Sequence, residues 1–201
     1  MKHGIVQIYT GDGKGKTTAA AGLAARALSR RMRVCWISFF KGTVPDPKGT
    51  VPFTDEVVEG DCPHFSNAGE TALLRKWGAD VFCLVGDYPC PSPFGKGGSR
   101  GILQKKLRQE CLKSLGFISE IFKKNYDVIV LDEINIALRD GFLKESEILL
   151  LLKHKPKSAE LVLTGRGATP GLIKAASLVT EMKKIRHPFD KGVKARPGIE
   201  Y

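Results

Sequence analysis

The chain has 201 residues, 42% of them hydrophobic and 26% charged, and its 32 Lys and Arg against 21 Asp and Glu leave a net charge of +11. That length suits a single domain that buries most of its apolar surface, and no apolar stretch approaches the roughly 20 residues of a membrane span. The positive charge predicts attraction to something acidic, but no aromatic-interleaved signature accompanies the clusters Lys105, Lys106, Arg108 and Lys183, Lys184, Arg186, so nucleic acid is not the expected partner.

The first predicted strand runs from Ile5 to Tyr9, separated from Met1 by three residues, which leaves no room for a leader peptide and predicts a cytoplasmic protein. Thr10 to Thr18 then reads TGDGKGKTT and opens a helix from Thr17 to Ser29. Glycines let backbone N–H groups turn inward on phosphate oxygens, and the helix behind them adds the positive end of its dipole. Lys16 supplies a point charge for the phosphates, and the Thr17 hydroxyl is placed to ligate Mg²⁺. A glycine-rich turn without ligand is the alternative, but the strand-to-helix context favours a nucleoside triphosphate. The usual GxxxxGK[ST] pattern has glycine where Thr10 stands. The departure predicts a loop that holds its triphosphate differently from a typical ATPase.

A second strand spans Val34 to Phe40, and a Pro- and Gly-rich loop follows from Gly42 to Pro63. A helix is predicted from Ala68 to Trp77 and a strand from Val81 to Val85. The next segment, Tyr88 to Gly101, reads YPCPSPFGKGGSRG and is predicted as a loop, before a helix from Leu103 to Lys123. Tyr126 to Asn135 reads YDVIVLDEIN, so the strand Val128 to Leu131 delivers Asp132 and Glu133 at its C-terminal end. In a parallel nucleotide-binding sheet that end lies beside the phosphate loop, where carboxylates hold Mg²⁺ together with Thr17. A solvated turn is the plainer reading of an acidic pair taken alone.

A helix from Lys144 to His154, a strand from Leu161 to Thr164, a helix from Pro170 to Ala176 and a weaker strand from Leu178 to Thr180 complete the pattern. The turn after Thr164 offers Arg166 to the same sheet edge, as a phosphate contact or a solvated cation. Strands alternating with helices and apolar on both faces predict an α/β fold. It is of the P-loop kind, a doubly wound, mostly parallel sheet with helices on both faces, in one domain over residues 1–201 with loop insertions at about 42–68 and 86–101. The five cysteines lack CxxC spacing and indicate neither disulfides nor a zinc site; Cys35 and Cys83 read as core residues and Cys90 as a loop thiol.

With these segments assembled, the chain resembles the ATP:corrinoid adenosyltransferases of the cob(I)alamin and cobyrinic acid a,c-diamide type. The matching stretches are GIVQIYTGDGKGKTTAAAGLAARAL with MRVCWISFFKG, YDVIVLDEINIAL with DGFL, and LVLTGRGATPGLIKAASLVTEMKKIRHPFDKGVKARPGIEY. The resemblance implies attack of a Co(I) corrinoid on the 5′ carbon of ATP with release of tripolyphosphate, the nucleotide lying in reverse sense across the loop. Gly11, Asp12, Gly13, Lys14, Gly15, Lys16, Thr17 and Thr18 are then expected to bind the triphosphate, with Arg26 and Arg166 also fixing the nucleotide. Thr17 and Glu133 are expected to bind Mg²⁺ with Asp132 nearby, and Lys16, Thr17 and Glu133 to carry the catalysis. A flavodoxin-like reductase and a homodimer are the partners the family implies.

The chain departs from the family after the third strand, where GDYPCPSPFGKGGSRG stands in place of a short GFTW-like segment whose aromatics cover the corrinoid. Tyr88 and Phe94 are candidate replacements. A P-loop ATPase or kinase with Glu133 as water-activating base, and an ATP-switched binding module using the basic surface, remain the competing readings.

Overall fold

A computed structural model describes residues 3–40, 69–85, 97–193, 196 and 198–199. The expected loop from Gly42 to Pro63, the residues Cys62, Tyr88, Cys90 and Phe94, and both expected insertions apart from 97–101 lie outside the described residues.

The strands are β1 (Val6–Thr10), β2 (Val34–Ser38), β3 (Asp80–Cys83), β4 (Val128–Asp132), β5 (Glu160–Thr164) and β6 (Leu178–Glu181). They form one sheet in the order β3-β2-β4-β5-β1-β6, and every neighbouring pair is parallel. The helices are α1 (Lys16–Ser29), α2 (Gly69–Lys76), α3 (Gly97–Phe122), α4 (Ile134–Arg139), α5 (Glu145–Lys153) and α6 (Pro170–Ala175).

Alternation along each strand sorts the apolar residues onto two faces. Val34, Trp36, Val128, Val130 and Val162 pack with Ala20, Ala24 and Ala27 of α1 and Leu74 of α2. The alanines recur at helical spacing, so α1 approaches the sheet closely and holds the phosphate loop against the strand ends. The opposite residues, Cys35, Ile37, Ile129, Leu131, Leu161 and Leu163, pack with Leu107, Cys111, Ile118 and Ile121 of α3 and with Ile134, Ile148 and Leu172 of α4, α5 and α6. Each fully buried Ile or Leu contributes about 1.5–3 kcal/mol. The indole of Trp36 donates to Ser38 Oγ at 2.9 Å, which satisfies a buried N–H.

Three local expectations are corrected. Helix α3 begins at Gly97, so residues 97–101 are helical although their glycines predicted a loop; once a nucleus exists downstream, extension adds one hydrogen bond per residue. Strand β2 ends at Ser38 because Phe40 adopts a left-handed φ of 58°, which breaks the ladder before the predicted end. Helix α4 was not expected, since six residues are too few to show a helical period.

Candidate functional site

The parallel sheet places the C-terminal ends of β4, β5 and β1 side by side. Four polar residues at strand ends are buried there: Thr10, Ser38, Asp132 and Thr164. Buried polar side chains cost free energy unless they are hydrogen-bonded, so a cluster of them at one sheet edge marks a site.

The loop after β1 turns on Gly11 and Gly15, whose φ angles of 97° and 115° suit glycine. It wraps the Lys16 ammonium, which donates to the carbonyls of Gly11 and Gly13, both at 2.7 Å. Lys16 is only 7% exposed. Burial pushes its pKa down; the Glu133 carboxylate opposes that shift, and the Arg166 charge adds to it. The loop is backed by the chain after β6: the Gly13 amide donates to the Met182 carbonyl at 2.6 Å, and the Met182 amide donates to the Thr10 carbonyl at 2.8 Å.

Across the crevice, Asp132 is fully buried. Its Oδ1 accepts from the Thr17 hydroxyl at 3.0 Å and from the Thr164 hydroxyl at 2.6 Å. Thr164 Oγ1 in turn accepts the Glu133 amide at 2.9 Å. Glu133 sits in the left-handed region at φ 66°, an uncommon conformation for a non-glycine residue. The ends of β4 and β5 and the first turn of α1 are thereby tied together through Asp132, Thr164 and Thr17.

The donor set suits a hard cation. Hydroxyl and carboxylate oxygens are the ligands Mg²⁺ prefers, and adjacent oxygens around octahedral Mg²⁺ lie about 3 Å apart, as Thr17 Oγ1 and Asp132 Oδ1 do. Thr17, Asp132 and the adjacent Glu133 thus fit the ion.

The turn after β5 forms the third wall. Gly165 and Gly167 adopt φ angles of 124° and 77°, and Arg166 between them is exposed. Asn135, fully buried in α4, donates from Nδ2 to the Gly165 carbonyl at 3.2 Å. Thr10 Oγ1 accepts the Ala168 amide at 3.2 Å.

The structure therefore brings together Gly11, Gly13, Gly15, Lys16, Thr17, Asp132, Glu133 and Arg166. Asp12 contributes a nearby negative charge to Lys16, and Thr18 is exposed on the first turn of α1. Lys14 is exposed and donates to the Ile199 carbonyl at 2.9 Å, so the tail reaches the loop. Arg26 stands apart. It is exposed and about 15 Å further along α1 at the usual helical rise, where its charge acts on Tyr9. Sequence reading missed the roles of Thr164 and Asn135. A polar residue closing an apolar strand was the available signal for the first.

Residues 2–201 match the family described as ATP:corrinoid adenosyltransferase BtuR/CobO/CobP. A corrinoid adenosyltransferase of a Sinorhizobium species is 32% identical over 201 residues, covering 98% of this chain and 80% of the relative. Another from Pseudomonas aeruginosa is 30% identical over 202 residues, covering 100% of this chain and 85% of the relative, and one from Escherichia coli is 27% identical over 200 residues, covering 100% and 87%.

Proposed function

The chain belongs to the ATP:corrinoid adenosyltransferase family, and on that premise we propose that it joins the 5′-deoxyadenosyl group of ATP to Co(I) of a corrinoid and releases tripolyphosphate. In this reaction the cobalt lone pair forms the Co–C5′ bond while C5′–O5′ breaks. The bond electrons leave with the polyphosphate oxygen, and cobalt is formally oxidised from Co(I) to Co(III). No proton moves at the reacting carbon, so no general base is required. The enzyme's tasks are alignment and stabilisation of a departing polyanion.

The observation that carries this reading is the convergence of Lys16, Thr17, Asp132 and Arg166 at the ends of adjacent parallel strands. Lys16 leaves its two loop carbonyls for the polyphosphate, and the loop amides not engaged by Met182 donate to phosphate oxygens. Thr17 and Asp132, with Glu133 beside them, would hold Mg²⁺, which when bound would neutralise charge on the leaving group. Arg166 closes the site from the β5 side. The net charge of +11 suits an acidic, flavodoxin-like electron donor for the reduction of cobalt.

The test is to incubate the protein with Mg-ATP and a chemically reduced corrinoid and to identify both products. Adenosylcorrinoid with tripolyphosphate is expected. ADP and orthophosphate as the only nucleotide-derived products would overturn the reading in favour of a P-loop hydrolase or kinase.

A further inference from the structure

The turn Gly165 to Thr169 carries Arg166 on a backbone that has little intrinsic reason to stay in place. Gly165 and Gly167 have φ angles of 124° and 77°, in a region open to glycine and costly to most other residues, and two glycines around one arginine make a flexible segment. A guanidinium on such a segment contributes to polyanion binding only if its backbone is anchored, because ordering it on binding costs about 1–2 kcal/mol per residue.

Both ends of the turn are anchored by side chains to which the functional reading assigns no phosphate or metal contact. At the first end, Asn135 Nδ2 donates to the Gly165 carbonyl at 3.2 Å, and Asn135 is fully buried. The two residues interlock: a Cβ on Gly165 would lie 3.0 Å from Asn135 Cβ and 3.2 Å from Glu133 Oε2. At the second end, the Ala168 amide donates to Thr10 Oγ1 at 3.2 Å, and Thr10 is 7% exposed. Between them, Gly167 rests on Arg139, whose Cγ would lie 2.9 Å from an added Cβ. Asn135 Oδ1 is buried with no hydrogen-bond donor among the described residues. A buried amide that uses its donor side and leaves its acceptor unmatched costs free energy, so the donor contact to Gly165 is retained at a price in stability.

We propose that Asn135 and Thr10 are paired positioning residues that clamp the Gly165–Ala168 turn, so that Arg166 is held over the phosphate loop and binds the leaving tripolyphosphate without an ordering cost. Thr10 thereby acquires a reason for its presence. The position where the usual phosphate loop has glycine supplies a hydroxyl that reaches across from β1 to the turn after β5. Its main chain meanwhile continues the pairing with β6, through Thr10 and Glu181. The clamp rests on the functional reading above only in naming tripolyphosphate as the anion.

The experiment is a double-mutant cycle read by calorimetric binding of Mg-tripolyphosphate to the full-length protein. The variants are Asn135→Ala, Thr10→Val, Arg166→Ala and the two pairs that combine Arg166→Ala with each of the others. Thr10→Val keeps the shape of the side chain and removes only the accepting hydroxyl. Asn135→Leu serves as a second probe of that position, because it keeps about the same shape, adds no charge and removes the donor to Gly165. Thermal melts confirm that each protein is folded. In the Arg166 background each clamp variant should weaken binding by about three- to tenfold, the worth of a neutral hydrogen bond. In the Arg166→Ala background the same substitutions should change it by less than about twofold, since the clamp acts only through that guanidinium. Equal losses in both backgrounds, or unchanged affinity in all single clamp variants, would overturn the proposal. Because the readout is anion binding, absence of adenosyl transfer counts against the functional reading alone, whereas additive binding losses count against the clamp.

Discussion

Gly13→Ala tests whether the chain after β6 is a working part of the phosphate loop. Gly13 is not in a left-handed conformation, so alanine meets no backbone strain there, and any effect comes from contact. The added Cβ would lie 2.7 Å from the Met182 carbonyl oxygen and 2.8 Å from the Lys183 carbonyl carbon and oxygen. These are backbone atoms, and ordinary contact begins at about 3.4 Å, so the loop and the β6 extension must separate by about 0.6–0.7 Å. Overpacking of this kind costs about 1–3 kcal/mol. Weakening the Gly13-to-Met182 hydrogen bond, now 2.6 Å, adds about 1 kcal/mol. The total of about 2–4 kcal/mol corresponds to a Tm lowered by roughly 5–10 °C for a domain of this size. Displacement of the loop should also weaken Mg-ATP binding on the order of tenfold. Scanning calorimetry and titration calorimetry read the two effects. A variant that melts within about 1 °C of the parent and binds Mg-ATP equally well would refute the view that Met182 and Lys183 set the loop's position.

The remaining predictions concern the same face and the packing behind it. Gly22→Ala is the control for the steric argument: on the exposed side of α1 an added Cβ meets nothing within 4 Å, and helix propensity predicts a gain of about 0.5–1 kcal/mol and a higher Tm with unchanged activity. Lys16→Ala should lower kcat for adenosyl transfer by at least about a hundredfold by removing charge stabilisation of the leaving group, measured as adenosylcorrinoid formed at saturating corrinoid. Arg108 donates to both carboxylate oxygens of Glu147, linking α3 to α5, and the pair together with the Lys144 amide holds the Glu147 carboxyl down to about 2 from an ordinary 4.5. A depressed carboxyl stabilises the fold fully above its unfolded value and loses that contribution as the pH falls through the folded one. Glu147→Gln should therefore destabilise by about 1–2 kcal/mol at pH 7, and urea titrations should show the gap closing between about pH 4.5 and pH 2. A gap that stays constant over that range would contradict the assignment.

Most of the fold was legible because its signals are local. The six strands appear as apolar runs, and the crossover helices as periodic segments. The loop after β1 is recognisable because glycine, lysine and threonine stand at contiguous positions. Ile134–Arg139 was not legible, because one and a half turns of helix leave no period to read. The start of α3 was misread from its glycines, which argue for a loop only when no adjoining helix extends into them.

What sequence by itself determined is the chemistry on offer: a glycine-rich loop closed by Lys16 and Thr17, an acidic pair at the end of a strand, and an arginine set between two glycines. Tertiary structure decided which of these groups meet. The Thr164 hydroxyl reaches Asp132 across 32 residues, Asn135 finds Gly165 across 30, and Ala168 finds Thr10 across 158. Arg26 lies ten residues beyond Lys16 on α1, and its charge acts on Tyr9. The physical reason is the parallel sheet. Its crossovers bring strand ends that are distant in the chain to one edge, and the register of β1, β4 and β5 then sets which side chains share a face, information that no single segment carries.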